Sequence, residues 1–250
     1  MKTIARHYRS IFISDCHFGY SISRADLLAN FLKYHTCENL FLVGDIVDFW
    51  VLEKKWHWPI DDAYAVVEIF KKIQNGTRVV YITGNHDDII RAHINDIHID
   101  GIEFLNELPY MSIMGKRYLI IHGDLFDNEQ PVWDVLSHLG NNAYLISLHI
   151  NKFVNRLRAY FKMPPWSLSL YLKQNIKGAV NFIIKFEDHM TEYCRRGGYD
   201  GAICGHIHSA GIRKIGELDY MNCGDWVESC TALVENIEGS FEIVTWNQMV

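Results

Sequence analysis

The 250-residue sequence has little proline (5 residues), and its cysteines are unpaired in pattern: Cys16, Cys37, Cys194, Cys204, Cys223 and Cys230 are scattered, with no CxxC anywhere. That spacing excludes a zinc ribbon and a thioredoxin-type redox motif. No apolar run approaches the roughly 18 residues that a membrane-spanning helix needs. The opening stretch, MKTIARHYRSIFISD, has only a short apolar run before Ser14 and Asp15, too short for a signal-peptide core. Repeats and low-complexity tracts are absent. A cationic excess is missing too: 24 Lys+Arg stand against 30 Asp+Glu, a net charge of −6. That balance argues against broad nucleic-acid binding, which needs a dominant positive field. Together these absences predict a cytoplasmic protein with reduced thiols and no nucleic-acid partner, leaving open a peripheral seat on the inner face of a membrane. With 49% hydrophobic and 13% aromatic residues, the chain has enough to bury a sizeable core without disulfides.

What is present is an alternation of short β-rich runs and longer helical patterns. Ser10–Ser14, Asn39–Val43, Arg78–Thr83, Tyr118–Ile121 and Gly201–Cys204 read as strands, each ending at a turn signal. Ala25–Tyr34, with Ser23 as its cap, and Ile60–Gln74, stopped by Asn75-Gly76, read as helices. Asp61-Asp62 is expected to cap the second of these, and Asp88 to begin a further helix. Gly211–Arg213, Asp219–Asn222, Ala232–Glu235 and Phe241–Trp246 read as a closing run of strands. The pattern predicts an α/β domain whose sheets are covered by helices.

One region departs from it. Residues 135–186 hold seven Lys/Arg (Lys152, Arg156, Arg158, Lys162, Lys173, Lys177, Lys185) and no Asp or Glu, so the rest of the chain carries −13. Two amphipathic helices are expected there, parted by Pro164-Pro165. Ile146, Ile150, Phe153 and Leu157 line the first, and Leu172, Ile176, Val180 and Ile183 the second. Two readings follow: a helical pair packed on the core with a solvated basic face, or a cap that offers apolar surface and positive charge to a lipid-like anion. The expected organisation is a core of residues 1–134 and 187–250, with 135–186 inserted as a basic helical cap.

Five segments share one logic, a metal-ligand residue type just beyond a strand: Asp15-Cys-His17, Gly44-Asp45-Ile-Val-Asp48, Gly84-Asn85-His86-Asp87, His122-Gly123 and Gly205-His206-Ile-His208. Open α/β sheets gather ligands at the carboxyl ends of their strands. The glycines at 44, 84, 123 and 205 permit sharp turns beside a metal or phosphate. Aspartates, histidines and an asparagine supply nitrogen and oxygen donors without thiolate. The set is too large for one ion and suits two that share a bridging carboxylate, the arrangement used for hydrolytic phosphoryl chemistry. Taken singly, GDxxD is common turn chemistry; the ordered set of five is far more specific. Cys16 lies between two of these residues, but an extended segment turns its side chain away from theirs.

The ordered set DCH, GDIVD, GNHD, HG and GHIH resembles the calcineurin-like metallophosphoesterases. The resemblance covers residues 10–210 and implies a four-layer α/β/β/α sandwich with two metals at one edge. It implies that Asp15, His17, Asp45 and His208 hold one ion, that Asp45 bridges, and that Asn85, His122 and His206 hold the other. His86 would then sit over the substrate as the catalytic acid, with Asp87 orienting its ring, a role suited to imidazole. Asp48 would fix a ligand histidine through that ring's other nitrogen. The two divalent ions would be manganese, with iron or zinc as alternatives.

The long interval between His122 and His206, with its basic helical insert, resembles the UDP-2,3-diacylglucosamine pyrophosphatases of lipid A synthesis. That likeness implies a lipid-linked nucleotide diphosphate as substrate, hydrolysed to UMP and 2,3-diacylglucosamine 1-phosphate, with Lys173 and Lys177 on phosphate or headgroup. In those enzymes the residue after the motif asparagine is commonly Arg; here it is His86, the ordinary phosphoesterase choice. A soluble nucleotide phosphodiesterase, a nuclease of the same superfamily and an inactive interaction scaffold on this fold stay open as alternatives. The oligomeric state is open as well.

Overall fold

The computed structural model describes residues 5–126 and 177–246, together with Val154 and Arg158. The chain divides into two compact units, Met1–Asp124 with Met190–Val250, and Leu125–His189.

The first unit is built on two sheets. In the larger, six strands lie in the order β11-β10-β1-β2-β3-β4: Arg6–Ile13 (β1), His35–Val43 (β2), Arg78–Ile82 (β3), Ile102–Leu105 (β4), Thr231–Glu235 (β10) and Phe241–Thr245 (β11). β1, β2, β3 and β4 are parallel neighbours, so the ends of β1 to β3 point the same way. The smaller sheet runs β5-β6-β7-β9-β8: Glu107–Met111 (β5), Arg117–Ile121 (β6), Gly201–Cys204 (β7), Gly211–Ile215 (β8) and Leu218–Asn222 (β9). Here too β6 and β7 are parallel.

Strands buried on both faces read as continuous apolar runs, and the central strands do so. Phe12, Phe41, Val80, Ile82 and Leu233 from the larger sheet meet Tyr110, Ile120, Ile203 and Met221 from the smaller in one core. The alternate residues of the larger sheet, Ile11, Ile13, Leu40 and Leu42, face a second core with Ala25–Tyr34 (α1) and Ile60–Gln74 (α3). Leu27, Leu28, Phe31 and Leu32 form the buried stripe of α1. Behind the smaller sheet, Met190 and Cys194 at the end of Lys177–Arg196 (α5) line a crevice with Ala202 and Tyr220. The architecture is the α/β/β/α sandwich expected from the sequence. Two short helices complete it, Phe49–Lys54 (α2) and Asp88–Ala92 (α4).

Several local details differ from the sequence reading. Arg24, not Ser23, occupies the N-cap of α1 and makes no side-chain cap bond; its guanidinium instead grips Asp26 at 2.9 and 2.8 Å. Pro59 precedes α3, and Asp62 points inward rather than capping. Asp88 does begin α4. Strands β4 and β5 and helix α2 went unread. All six cysteines are buried, unpaired thiols.

Of the second unit, the described part comprises the 3-10 turn ending at Phe126 and the start of α5. Phe186 is buried with its ring edge-on to Phe126 at 6.1 Å, and His189 Nδ1 lies 3.3 Å from Phe126 O. Of the first expected cap helix only Val154 and Arg158 are described, both helical, and Lys173 lies outside the described residues. The second is represented only by α5, which Lys177 opens and which runs on to Arg196. No helix among the described residues is long and apolar enough to cross a membrane.

Candidate metal centre

Each motif residue stands just past a strand end. Asp15 and His17 follow β1, Asp45 and Asp48 follow β2, Asn85 and His86 follow β3, His122 follows β6, and His206 and His208 follow β7. The loops after β1 and β2 are zipped together: the amides of Asp15 and Cys16 donate to the carbonyls of Gly44 and Asp45 at 3.0 and 2.9 Å, and that of Phe18 to Ile46 O at 2.8 Å. Space is kept by glycine. A Cβ on Gly44 (φ +78) would overlap the His122 ring, and one on Gly84 would overlap Asp45 Oδ1. At Gly44 the conformation itself also favours glycine; at Gly84 only room is required.

The backbone is strained where the ligand types sit. Among the described residues, six non-glycines have positive φ, and five of them are Asp15 (53°), His17 (49°), Asp45 (52°), His206 (67°) and His208 (49°). Left-handed backbone is uncommon for residues with a side chain, and such residues cluster where function over-determines the geometry.

Three overlapping groups present donor atoms within 4.8 Å of one another: Asp15, His17 and His208; His17, Asp45 and His86; and Asp45, His122 and His206. Asp45 and His17 are each shared, so the groups form one continuous cluster. Asp15 Oδ1 lies 3.0 Å from His208 Nε2, and Asp45 Oδ2 lies 3.3 Å from His122 Nε2. The remaining oxygens are anchored by backbone: His206 N–H donates to Asp15 Oδ2 at 3.0 Å and His86 N–H to Asp45 Oδ1 at 2.8 Å. His122 Nδ1 is 2.9 Å from Val43 O, which fixes its proton there and leaves Nε2 as the donor facing the cluster. His17 Nδ1, 3.1 Å from Asp48 Oδ2, is held in the same way.

Fit to cations is tested by what these atoms lack. Asn85 Oδ1 is buried without a hydrogen-bond partner, and Asp15 Oδ1 and His122 Nε2 face only other members of the cluster, His208 and Asp45; such a buried polar group calls for an occupant. Electrostatics agree. Burial alone would raise the Asp15 carboxyl, yet the His208 and His122 rings bring it down to about 2. Burial opposes protonation of His122, yet Asp45 and Asp15 raise it to about 10, and against the same burial Asp48 and Asp45 raise His17 to about 9. Carboxylates buried at this density demand positive charge, and a hard or borderline cation with N/O ligands supplies it.

A family model of the calcineurin-like phosphoesterases matches residues 8–210. The chain belongs to that family. Among relatives, a UDP-2,3-diacylglucosamine hydrolase of Histophilus somni (strain 129Pt) is 27% identical over 124 residues, 46% of this chain and 49% of the relative. The enzyme of that name from Aeromonas salmonicida (strain A449) is 24% identical over 239 residues, 90% of this chain and 89% of the relative. Against the first of these, the chain spans about half the relative's length. A solved structure described as a novel archaeal phosphodiesterase is 13% identical, with a TM-score of 0.45 over 94% of this chain and 98% of that one.

In this member of the calcineurin-like phosphoesterase family the structure brings together Asp15, His17, Asp45, His86, His122, His206 and His208. Cys16 is left out: it is buried in the core behind the larger sheet, and burial holds its thiol well above the ordinary range. Asp87 differs from expectation. Rather than orienting the His86 ring, its carboxylate accepts from Tyr81 Oη at 2.8 Å and from the amides of Val47 and Gly84 at 3.2 Å, tying the motif loops together. The ring's partner is Asp48, whose Oδ1 lies 3.1 Å from His86 Nδ1 and also accepts from Val51 N–H as the cap of α2. The residue missed by sequence reasoning is Trp50. Its ring lies 4.1 Å from that of His86 at a tilt of 35°, and 43% of the residue is exposed. It stands two residues after Asp48 on the first turn of α2, and its contact with His86 joins two segments, so no local spacing in the sequence signals it.

Proposed function

We propose that this protein is a two-metal hydrolase that cleaves the pyrophosphate of a lipid-linked nucleotide, UDP-2,3-diacylglucosamine, to UMP and 2,3-diacylglucosamine 1-phosphate. The observation that carries the reaction class is the continuous donor cluster in which Asp45 and His17 are each shared between groups. Asp15, His17, Asp45 and His208 would hold one ion and Asp45, Asn85, His122 and His206 the other, with manganese as the metal. When bound, such a pair polarises phosphoryl oxygens and lowers the pKa of water. The chain's own contribution is orientation and proton transfer. Asp48 accepts from Nδ1 of His17 through one oxygen and faces Nδ1 of His86 at 3.1 Å with the other, leaving each Nε2 directed elsewhere. In this reading His86 Nε2 would donate a proton to the leaving phosphate oxygen, with the Trp50 ring against the imidazole.

The choice of substrate is supported by the names of the relatives and by the cationic segment 135–186, read as a cap that receives acyl chains and phosphate through Lys173 and Lys177. A lipid-linked substrate also brings the protein to an anionic membrane surface from the cytoplasmic side. The test is product analysis: the manganese-loaded protein is incubated with UDP-2,3-diacylglucosamine, with bis-p-nitrophenyl phosphate alongside. Chelator-sensitive UMP release, lost on Lys173→Ala/Lys177→Ala while the model ester is still cleaved, supports the reading. Cleavage of the model ester without UMP keeps the two-metal phosphoesterase and discards this substrate.

A further inference from the structure

We propose that the outer face of α3 is the contact through which two copies of this chain pair about a twofold axis. The helix is built inside out. Its buried side carries Asp62 and Lys72 beside Ala65 and Ile69. Each charge is answered locally: Gly19 N–H donates to Asp62 Oδ2 at 2.7 Å, and the Lys72 ammonium donates to the His35 carbonyl. Its outer side carries Ile60, Tyr64 and Val67, exposed by 66, 58 and 47%, with Phe70 on their flank. The spacing i, i+4, i+7 sets the first three in a straight stripe. Trp56, 76% exposed, stands just before it. On a monomer this is where the charged face of a surface helix belongs.

A stripe one helix wide and about 15 Å long matches a second helix laid alongside it. Charge selects which helix. Asp61 lies at the N-terminal end of the stripe and Lys71 at the C-terminal end, equally distant from Val66. Laid antiparallel on a copy of itself, with Tyr64 and Val67 of each chain at the axis, the helix sets each Lys71 against the partner's Asp61. Phe70 then covers the partner's Ala63. The Lys71 ammonium already holds Glu68 at 2.6 Å, and pairing adds a second carboxylate to it. The two helix dipoles oppose, and the pattern is self-complementary, as a twofold interface requires. An anionic bilayer is a poorer match: Lys54, Lys55 and Lys71 are balanced by Glu53, Asp61 and Glu68, whereas interfacial helices carry a cationic excess.

An interface of this width lies at the small end of specific contacts, so pairing depends on concentration. Sedimentation velocity of the full chain over a concentration series is the test, and it does not depend on the reaction proposed above. The wild type is expected to shift from monomer to dimer. Val67→Glu, Asp61→Lys and Lys71→Glu should each weaken pairing at least tenfold, and the double reversal Asp61→Lys/Lys71→Glu should restore it. Because these side chains are exposed, the variants should melt with the wild type, which separates lost pairing from lost folding. A wild type monomeric at every concentration, a dimer indifferent to Val67→Glu, or a double reversal no better than the singles would overturn the proposal. So would a monomer that floats with phosphatidylglycerol/phosphatidylcholine vesicles through Val67, which would make the face a lipid contact.

Discussion

His86 is held from four directions, and each can be removed separately. Its backbone N–H donates to Asp45, its Nδ1 faces Asp48 at 3.1 Å, the His17 ring meets it edge-on at 4.7 Å, and the Trp50 ring covers its face at 4.1 Å. General acid catalysis contributes about 10²–10⁴-fold to a rate when the leaving group is poor. His86→Ala should therefore lose at least about 10²-fold in kcat on an alkyl phosphodiester and much less on a p-nitrophenyl ester, whose leaving group needs no proton. Both variants of the ring clamp, His86→Ala and Trp50→Ala, should keep two metals by atomic emission. The Trp50 effect should vanish in the His86→Ala background, since its role passes through that ring. Metal loss in His86→Ala would instead make the imidazole a ligand. Asp48→Asn is the harsher change, because one carboxylate orients two rings. Removing such a partner lowers metal affinity about 10–100-fold, and metal titration of the variant measures it.

At the scale of elements, α3 ties the fold to the site through one buried bond. Asp62 is 1% exposed and accepts from Gly19 N–H, two residues beyond His17. Burial raises its carboxyl from the ordinary 3.8 to about 6, with the nearby Asp61 acting in the same sense. The folded chain therefore binds this proton more tightly than the unfolded chain. On this account stability falls as pH rises from about 4 to about 6, and the penalty persists above. Asp62→Asn keeps an oxygen for Gly19 and removes the titration. Its melting temperature should match the wild type near pH 4 and exceed it above pH 6, and a constant offset across the range would contradict the assignment. The same helix shows what sequence could and could not disclose. Its bounds, Ile60–Gln74, were legible from helical periodicity and the Asn75-Gly76 stop. Its inversion was not, because periodicity places a stripe without saying which side the sheet takes. Strand β5 was hidden by Pro109, tolerated because β5 lies at a sheet edge. Helix α2 was hidden by its six-residue length. The ligand types were legible because each follows a strand end within its own segment. Asp48 and Trp50 act on His86 across segments, and no local spacing records that.

Taken as a whole molecule, the first unit builds its donor cluster from loops of both its sheets. Asp15 and Asp45 belong to loops of the larger sheet, and His122, His206 and His208 to loops of the smaller. The sheets already share a core through Phe12, Phe41, Ile120 and Ile203. Ions at the cluster would join them a second time, and unfolding of either sheet would release the metal. Metal binding should then stabilise the whole unit by mass action, about 2.7 kcal/mol at a free concentration of 100 Kd. For a chain of this size that is a rise in Tm of roughly 5–10 °C. Manganese should raise a single cooperative transition, a chelator should lower it, and Asp45→Asn should abolish most of the shift because both groups lose their shared donor. The positive-φ backbone at five residues of the donor cluster sharpens the expectation. If the ions are what makes that strain tolerable, the metal-free protein should exchange its amides in the loops after β1, β2 and β7 faster, while the central strands β1 and β2 stay protected. Calorimetry with hydrogen exchange would measure both. Loop exchange indifferent to manganese, with two ions bound and the Tm raised, would mean that the strain is carried by the sheets alone.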